Sequence, residues 1–283
     1  MDMLLLYVLV LGGTLFHAGS NVSQKFLLNK EIHGEFVMVV TAAGAALVGF
    51  VGSFAIYGFP TIHTGFWIPF GITAILGVGI QYLSVRSKQL EDVSVVTPLA
   101  SATPMFLILM SWVILRESPS LWGRFGIALI ALGAYILYLG GTQVPLPRIL
   151  GQFLPRILHE PVTYWGGPWL RLFSSKGARL ALLQAWFGAI AISFDKLVVT
   201  NSNPLFRTGA IFAVTAVILY AYSRTRGVWQ GIPKNGGVFW LVLLIGVAIG
   251  ITDVLYNFGY YHGFAAYVGS LKRTQIFWTV ILA

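Results

Sequence analysis

The stretch that decides the fold is FVMVVTAAGAALVGFVGSFAIY, residues 36–57, which contains no charged side chain. Two further uncharged stretches cover residues 64–85 and 93–115. Each of the three exceeds the roughly 20 residues that an α-helix needs to cross the hydrocarbon core of a bilayer. Uncharged runs of this length predict transmembrane helices and exclude an ordinary water-soluble domain.

The composition extends this prediction to the whole chain of 283 residues. Hydrophobic residues make up 57% of it and charged residues only 10%, whereas a soluble domain carries roughly 25% charged residues. The formal net charge is +9, but the basic residues are scattered among short connections and do not form the stripe typical of nucleic-acid binding. The chain has no Cys, which excludes disulfides, thiol catalysis and Cys-ligated metals. We therefore predict an all-α polytopic membrane protein without a nucleic-acid partner.

Hydropathy and helix breakers predict nine spans and one long connection. The spans fall at residues 4–28, 34–57, 65–86, 93–115, 121–140, 179–200, 206–223, 237–258 and 263–283. The connection, residues 141–178, is rich in Pro and basic residues and divides the chain into a first unit, 1–140, and a second unit, 179–283.

The basic residues also predict an orientation. The loops after spans 1, 3, 5 and 7, including the long connection, carry eleven Lys and Arg, against three on the opposite side. Cytoplasmic loops hold the excess of Lys and Arg. We therefore expect a multi-pass protein of the plasma membrane with a cytoplasmic linker and an amino terminus outside the cell.

The two units resemble each other at a single offset of 171 residues. The matches that share this offset are Gln24-Lys25 with Asp195-Lys196, Gly79-Ile80 with Gly250-Ile251, and Thr103 with Thr274. Because five spans per unit is an odd number, the second unit enters the membrane in the opposite sense, as in the inverted repeats of secondary transporters. Apolar helices also resemble one another by composition alone, and that explanation stays open. The counterpart of span 5 is missing before Ala283, so we interpret the sequence as a fragment.

A distinctive pattern surrounds the end of span 4. The run from Thr97 to Pro104 leads through apolar residues to Arg116-Glu117-Ser118-Pro119-Ser120 and then to the Gly-rich span from Gly123 to Leu139. This pattern resembles the EamA-type repeat of the drug/metabolite transporter superfamily. The resemblance covers all but the linker and implies ten helices in two inverted five-helix repeats, a central cavity, and alternating access for small organic metabolites or drugs. It also implies cytoplasmic termini, against the charge count.

Charged residues inside spans are candidates for substrate binding, because a charge near the bilayer centre costs roughly 2.5–3.5 kcal/mol. Lys272 and Arg273 lie about ten residues into span 9, roughly 15 Å from its start and close to the midplane. Asp253, near the end of span 8, is placed to reach either of them. These residues form either a structural ion pair or a site that leaves one cation for an anionic or zwitterionic substrate.

Polar residues on other spans complete the candidate set. Span 1 carries His17, Asn21 and Lys25 at intervals of four residues, which places them on one helical face. Such a face either lines a wet cavity or makes interhelical hydrogen bonds. Asp195 either neutralises its neighbour Lys196 or accepts a proton. The predicted substrate-binding or cavity-lining residues are His17, Asn21, Lys25, Gln81, Asp195, Lys196, Asp253, Asn257, Lys272 and Arg273.

Two prolines and one glutamate stand around span 4. Pro98 and Pro104 lie within the predicted span, where each removes a backbone hydrogen bond. They predict either a hinge for alternating access or a static kink. Glu117 reads as a turn residue before span 5, where a carboxylate suits a helix amino terminus.

Motifs for nucleotide binding and metal catalysis do not occur. The sequence has no GxxxxGK[ST] and no HExxH, and its five His are scattered. We therefore predict no enzyme, no metal site and no cofactor. The expected function is secondary transport of a small-molecule substrate, either facilitated or driven by a proton or a counter-solute. The alternative is a non-transporting membrane scaffold or sensor whose buried polar residues are structural.

Overall fold

The structure is a computed structural model that describes residues 3–30, 32–92, 96, 99–100, 102–139, 175–226 and 236–282. Every regular element in these ranges is helical. The main helices are α1 (Met3–Asn29), α2 (Gly34–Ile56), α3 (Trp67–Leu90), α4 (Thr103–Met110), α5 (Leu121–Leu139), α6 (Lys176–Thr200), α7 (Pro204–Thr225), α8 (Gly236–His262), α9 (Ala265–Leu271) and α10 (Gln275–Leu282).

Within the described residues, five segments are long and apolar enough to cross a membrane. They are Gly34–Ile56, Thr64–Leu90, Lys176–Thr200, Pro204–Thr225 and Gly236–His262. Together with the helices around them, they confirm the prediction of an all-helical polytopic membrane protein. Most of the long connection, residues 140–174, lies outside the described residues.

Several helices extend further than predicted. α3 continues to Leu90 and α7 begins at Pro204, so two cations assigned to loops from the sequence lie inside helices. Lys88 is 4% exposed and Arg207 is 5% exposed. The loop count of basic residues was wrong at these two positions, because both side chains find polar partners within the bundle. Removing one cation from the count on each side leaves the excess of Lys and Arg on the same side.

Spans 4 and 9 are interrupted helices. α4 passes directly into a π-helix, Ser111–Leu115, and α9 passes into the 3-10 turn Lys272–Thr274 before α10. Irregular turns of this kind are frequent at functional sites. Pro104 stands in the first turn of α4, where a missing N–H costs no helical hydrogen bond, so the expected loss of a backbone hydrogen bond at Pro104 was wrong. Pro98 lies outside the described residues.

Glycine residues bring α2 close to both α7 and α8. A Cβ atom on Gly49 of α2 would lie 2.1 Å from the backbone N of Gly209 on α7. A Cβ atom on Gly246 of α8 would lie 2.5 Å from the carbonyl oxygen of Thr41 on α2. Small residues allow such approach of helix backbones within a membrane. The remaining close pairs are α3 with α6, α1 with α8, α4 with α6, and α1 with α10.

The helix ends gather on two opposite faces. On the first, the Lys25 face, the ends of α1 and α3 meet the start of α6, where Ser175 binds Glu91. On the second, the Lys196 face, the ends of α6 and α8 meet the starts of α7 and α9. Polar residues of the helix middles lie between these two faces.

Candidate functional site

A cavity of about 200 Å³ lies between the two faces. Its described wall comes from α1, α3, α4, α6, α7 and α8, from Val96 and Ala100, from the turn before α10, and from Gln275 at the start of α10. The residues predicted to line a cavity lie on spans 1, 3, 6, 8 and 9, and α7 is an addition to them. The cavity volume is small for a ligand site. It is below the range of about 300–1,000 Å³ typical of drug-sized ligands, so it suits a small metabolite.

Most of the predicted site residues meet at this cavity. Three of the predicted residues are not among the described lining residues. Lys25 and Lys196 lie at the two faces, and Asn257 donates a hydrogen bond of 2.9 Å to Asp253. Their binding of a substrate remains a prediction. The predicted residues that line the cavity are His17, Asn21, Gln81, Asp195, Asp253, Lys272 and Arg273.

Arg207 binds both aspartates of the cavity. Its Nε donates a hydrogen bond of 3.0 Å to Asp195 Oδ1, and its Nη1 donates to Asp253 Oδ2. Thr208 Oγ1 also donates to Asp253 Oδ2, at 2.8 Å. The guanidinium group suits this position because its planar fork offers several donors in fixed directions.

The local sequence explains how Arg207 reaches this position. The side chain of Asn203 caps α7 by accepting a hydrogen bond of 2.7 Å from the backbone N of Phe206, and Pro204 suits the first helical turn. α7 therefore begins four residues after α6 ends. Arg207, one turn into α7, enters the space between α6 and α8.

These contacts correct two pairings that were expected from the sequence. Asp195 pairs with Arg207 and does not neutralise Lys196. Asp253 also pairs with Arg207 and makes no ion pair with Lys272 or Arg273. The reason is that a guanidinium between two helices offers both carboxylates a shared partner, whereas neighbouring residues of one helix point in different directions.

Lys196 and Glu117 join three helix ends at the Lys196 face. Lys196 Nζ donates hydrogen bonds to Glu117 Oε1 at 2.5 Å and to the carbonyl oxygen of Gly263 at 2.7 Å. Glu117 Oε2 accepts a hydrogen bond of 3.1 Å from the backbone N of Ala265, at the start of α9. Glu117 follows the π-helix and Arg116, whose φ of 55° turns the chain sharply. Glu117 is therefore more than the turn residue that the sequence suggested.

Lys25 joins the ends of α1 and α3 at the opposite face. Its Nζ donates to the backbone carbonyl oxygens of Lys88 at 2.7 Å and Glu91 at 3.0 Å, at the end of α3. The same Nζ lies 3.7 Å from Asp92, whose side chain is 81% exposed. A cation in this position satisfies carbonyl groups that have no partner within the helix and complements the helix dipole.

Lys88 enters the cavity from α3 without a carboxylate partner among the described residues. Its Nζ donates to Asn21 Oδ1 at 2.8 Å and to Gln24 Oε1 at 2.7 Å, both on α1. Two amide oxygens solvate the ammonium group but do not neutralise it. The charge of Lys88 therefore remains available to the cavity.

Lys272 and Arg273 also lack a carboxylate partner in the part of the chain that the structure describes. Lys272 Nζ lies 4.4 Å from the centre of the Tyr256 ring and 5.8 Å from that of Tyr260, within reach of a cation–π interaction. Arg273 is 9% exposed, and its Nε has no hydrogen-bond partner. A buried donor without a partner is costly, so this turn favours binding of an acceptor.

Sequence reasoning missed two cations of the cavity, Arg207 and Lys88, because both lie near helix ends. Signals for both exist in the sequence. Lys88 follows Gln81 and Ser84 at helical spacing on one face of α3. The Asn203-Pro204 pair is a typical helix start, which places Arg207 inside the next helix.

Comparisons with known proteins agree with this architecture. The model of the EamA-like transporter family matches residues 4–139. No curated protein matches the chain. One solved structure, titled "Crystal structure of protein", is similar with a TM-score of 0.66 and 13% identity, over 98% of this chain and 85% of that chain. This likeness shows a shared fold that extends beyond the half matched by the family.

Proposed function

We propose that this chain, a member of the EamA-like transporter family within the drug/metabolite transporter superfamily, is a secondary transporter that moves a small organic metabolite by alternating access. The chain is an integral membrane protein of a transporter family. The observation that carries the proposal is the polar cavity. It lies among membrane-length helices, between the Lys25 face and the Lys196 face. Ionisable groups at this depth are typical of substrate or ion pathways.

The contacts support an inverted repeat of two units. Lys25 caps the end of α3, and Lys196, its counterpart at the offset of 171, binds the carbonyl oxygen that follows α8. Thr274 lies 3.4 Å from Thr14 on α1, while its counterpart Thr103 lies against α6. These two contacts thus have counterparts with the units exchanged. Nine spans in two oppositely inserted units account for this pattern.

Alternating access follows from the two faces. In a transporter built from two inverted units, the two units differ in conformation. When one face opens and the other closes, the units exchange these conformations. The Lys196–Glu117 pair and the contacts of Lys25 with the end of α3 are the interactions that such a transition breaks in turn. Pro104 and the interrupted spans around it are the proposed positions of hinge motion.

Energy for transport comes from a gradient, because the sequence contains no P-loop. Asp195 and Asp253 are the candidate carriers of a coupled proton, and a counter-solute is the other possible driver. The excess of basic residues supports a cytoplasmic location of the linker, residues 141–178, and we propose the plasma membrane as the bilayer that holds the protein. We propose no enzymatic activity.

Flux through reconstituted protein tests this function. The purified chain in proteoliposomes should give saturable uptake or exchange of at least one solute from a broad metabolite panel. Lys272→Met and Arg273→Met should each abolish that flux in protein that keeps its melting temperature. Absence of flux across the panel, or unchanged flux in variants with a lowered melting temperature, would favour the scaffold alternative. An imposed pH gradient that leaves the flux unchanged would dismiss proton coupling.

A further inference from the structure

We infer that the cavity binds its substrate through a small anionic group, a carboxylate or a phosphate, at the Lys272–Thr274 turn. This inference rests on the proposed function and names the substrate class of the same site. Arg273 and Lys272 hold the anion, and Lys88 adds to the positive potential of the same cavity.

The charge balance of the cavity is the first argument. Its lining contains two carboxylates, Asp195 and Asp253, and both are bound by Arg207. The three other cations that line it, Lys88, Lys272 and Arg273, have no carboxylate partner within the described ranges. The lining therefore carries a formal excess of two positive charges. Removing unpaired charges from water is costly, so this excess favours an anionic guest.

The unsatisfied donor is the second argument. Arg273 Nε is buried without a partner, and the side chain reaches the cavity. Because an arginine fork binds carboxylate and phosphate through parallel hydrogen bonds, the free edge of this guanidinium matches either group. The 3-10 turn brings Lys272 and Arg273, which are adjacent in sequence, to the same cavity. Interrupted helices form the binding sites of many transporters.

Two uncharged residues of the lining indicate which groups the neutral part of the substrate carries. Gln184 and Gln275 each have an amide oxygen without a partner, and both line the cavity. Such oxygens accept hydrogen bonds from hydroxyl or amine groups. With a volume of about 200 Å³, the cavity fits an organic anion of a few carbon atoms that also carries donor groups.

Direct binding tests the inference without transport. The purified chain in lipid nanodiscs is titrated with acetate, succinate, inorganic phosphate and glycerol 3-phosphate, with succinamide and 1,4-diaminobutane as neutral and cationic comparisons. At least one anion should raise the melting temperature, and the neutral and cationic compounds should not. Preference among the four anions distinguishes a carboxylate from a phosphate. Failure of all four anions, or equal stabilisation by succinamide, would overturn the inference.

Variants of Arg273 and of a control residue test whether the anion binds at the Lys272–Thr274 turn. Arg273→Gln should weaken anion binding at least tenfold, and Arg273→Lys should restore part of it. Arg224→Gln is the matched control, because Arg224 is exposed at the end of α7, and it should bind anions as the unmodified chain does. If Arg273→Gln folds and binds anions with unchanged affinity, the assignment is wrong. If Arg273→Gln does not fold, Lys272→Gln supplies the same comparison.

Flux and binding together separate this inference from the proposed function. If proteoliposomes transport neutral or cationic solutes and exclude anions, the transporter function stands and the anion site fails. If anions bind with the dependence on Arg273 but no solute crosses the membrane, the anion site stands and transport fails.

Discussion

Among single residues, Arg207 is the side chain on which the polar centre of the bundle depends. It is 5% exposed and forms ion pairs with both Asp195 and Asp253. Arg207→Met leaves the buried Asp195 and the partly buried Asp253 without a cation, and removal of one partner from a buried ion pair costs about 3–5 kcal/mol. We expect the apparent melting temperature in detergent to fall by roughly 10 °C.

The control for this variant removes the stranded charges as well. Combining Arg207→Met with Asp195→Asn and Asp253→Asn should recover at least half of the lost melting temperature, because no unpaired carboxylate then remains. A melting temperature of Arg207→Met equal to that of the unmodified chain would show that the two carboxylates do not need this cation.

The same residue shows how far sequence reasoning reaches at this scale. A charge in a long apolar run is visible without a structure, which is why Asp253, Lys272 and Arg273 were recognised as residues of a polar interior. Spacing along one helix predicts a shared face but not the partner that a neighbouring helix supplies. Asp253 was therefore assigned to the cations of the following span, whereas Arg207 of α7 is its partner.

At the scale of helices, the close approach of α2 and α7 requires Gly49. An added Cβ at this position meets backbone atoms of Gly209 at 2.1 and 2.5 Å, and backbone cannot move aside as a flexible side chain does. Gly49→Ala should therefore lower the apparent melting temperature by several degrees, since overpacking costs typically 1–3 kcal/mol. Thermal unfolding of the purified protein measures the change.

A second glycine provides the matched comparison for Gly49→Ala. Gly126 of α5 has nothing within 4 Å of an added Cβ, so Gly126→Ala should leave the melting temperature unchanged or raise it slightly. Equal effects of the two substitutions would contradict the role of Gly49 in bringing the helix backbones together.

The Lys196 face gives a prediction about how helices move. Glu117→Gln replaces a charge-assisted hydrogen bond to Lys196 by a weaker neutral one, which loosens the joined ends of α6, α8 and α9. The chain has no Cys, so Phe212→Cys, a cavity position, is the single thiol. We expect Glu117→Gln to raise its modification rate by an impermeant reagent applied from the Lys196 face at least threefold.

The opposite face supplies the reciprocal test. Lys25→Met loosens the end of α3, which favours opening of the Lys25 face. In an alternating mechanism, this change should slow modification of Phe212→Cys from the Lys196 face. If both substitutions leave the rate unchanged, the two lysines do not control access to the cavity.

The existence of the helices was readable from the sequence, while the π-helix and the 3-10 turn that interrupt two of them were not. Long uncharged runs predicted helices such as α2 and α8 because hydrophobicity and length decide insertion into a bilayer. The π-helix at Ser111–Leu115 and the 3-10 turn at Lys272–Thr274 change backbone hydrogen bonding without changing hydropathy. Span 9 was therefore expected as a continuous helix. In span 4 a hinge or a kink was expected at Pro98 and Pro104, but the helix start at Thr103 and the π-helix were missed.

For the whole molecule, the offset of 171 residues pairs positions that make equivalent contacts in opposite units. Lys25 and Lys196 are the clearest example, since each binds a carbonyl oxygen at the end of another helix, on opposite faces. The units differ in charge, however. The counterparts of Asp195, Arg207 and Asp253 are Gln24, Phe36 and Tyr82. The proposed repeat therefore accounts for the contacts of Lys25 and Lys196, whereas Asp195, Arg207 and Asp253 of the charged centre all belong to residues 179–283.

Orientation of the whole molecule is the last prediction, because the charge count and the resemblance to ten-helix transporters disagree about it. Ser118 is exposed at the Lys196 face and Lys176 at the Lys25 face. In intact cells, an impermeant maleimide should label Ser118→Cys at once and Lys176→Cys only after permeabilisation. The unmodified chain, which has no Cys, should give no signal.

The reverse labelling would place the Lys25 face outside and would refute the charge count. We expect the count to hold, because loop charges act through their resistance to translocation and buried side chains do not take part in it. Lys88 and Arg207 are buried, so one cation is subtracted from the loop count on each side. The remaining excess of Lys and Arg still lies on the Lys25 face, which favours the cytoplasm as the location of that face.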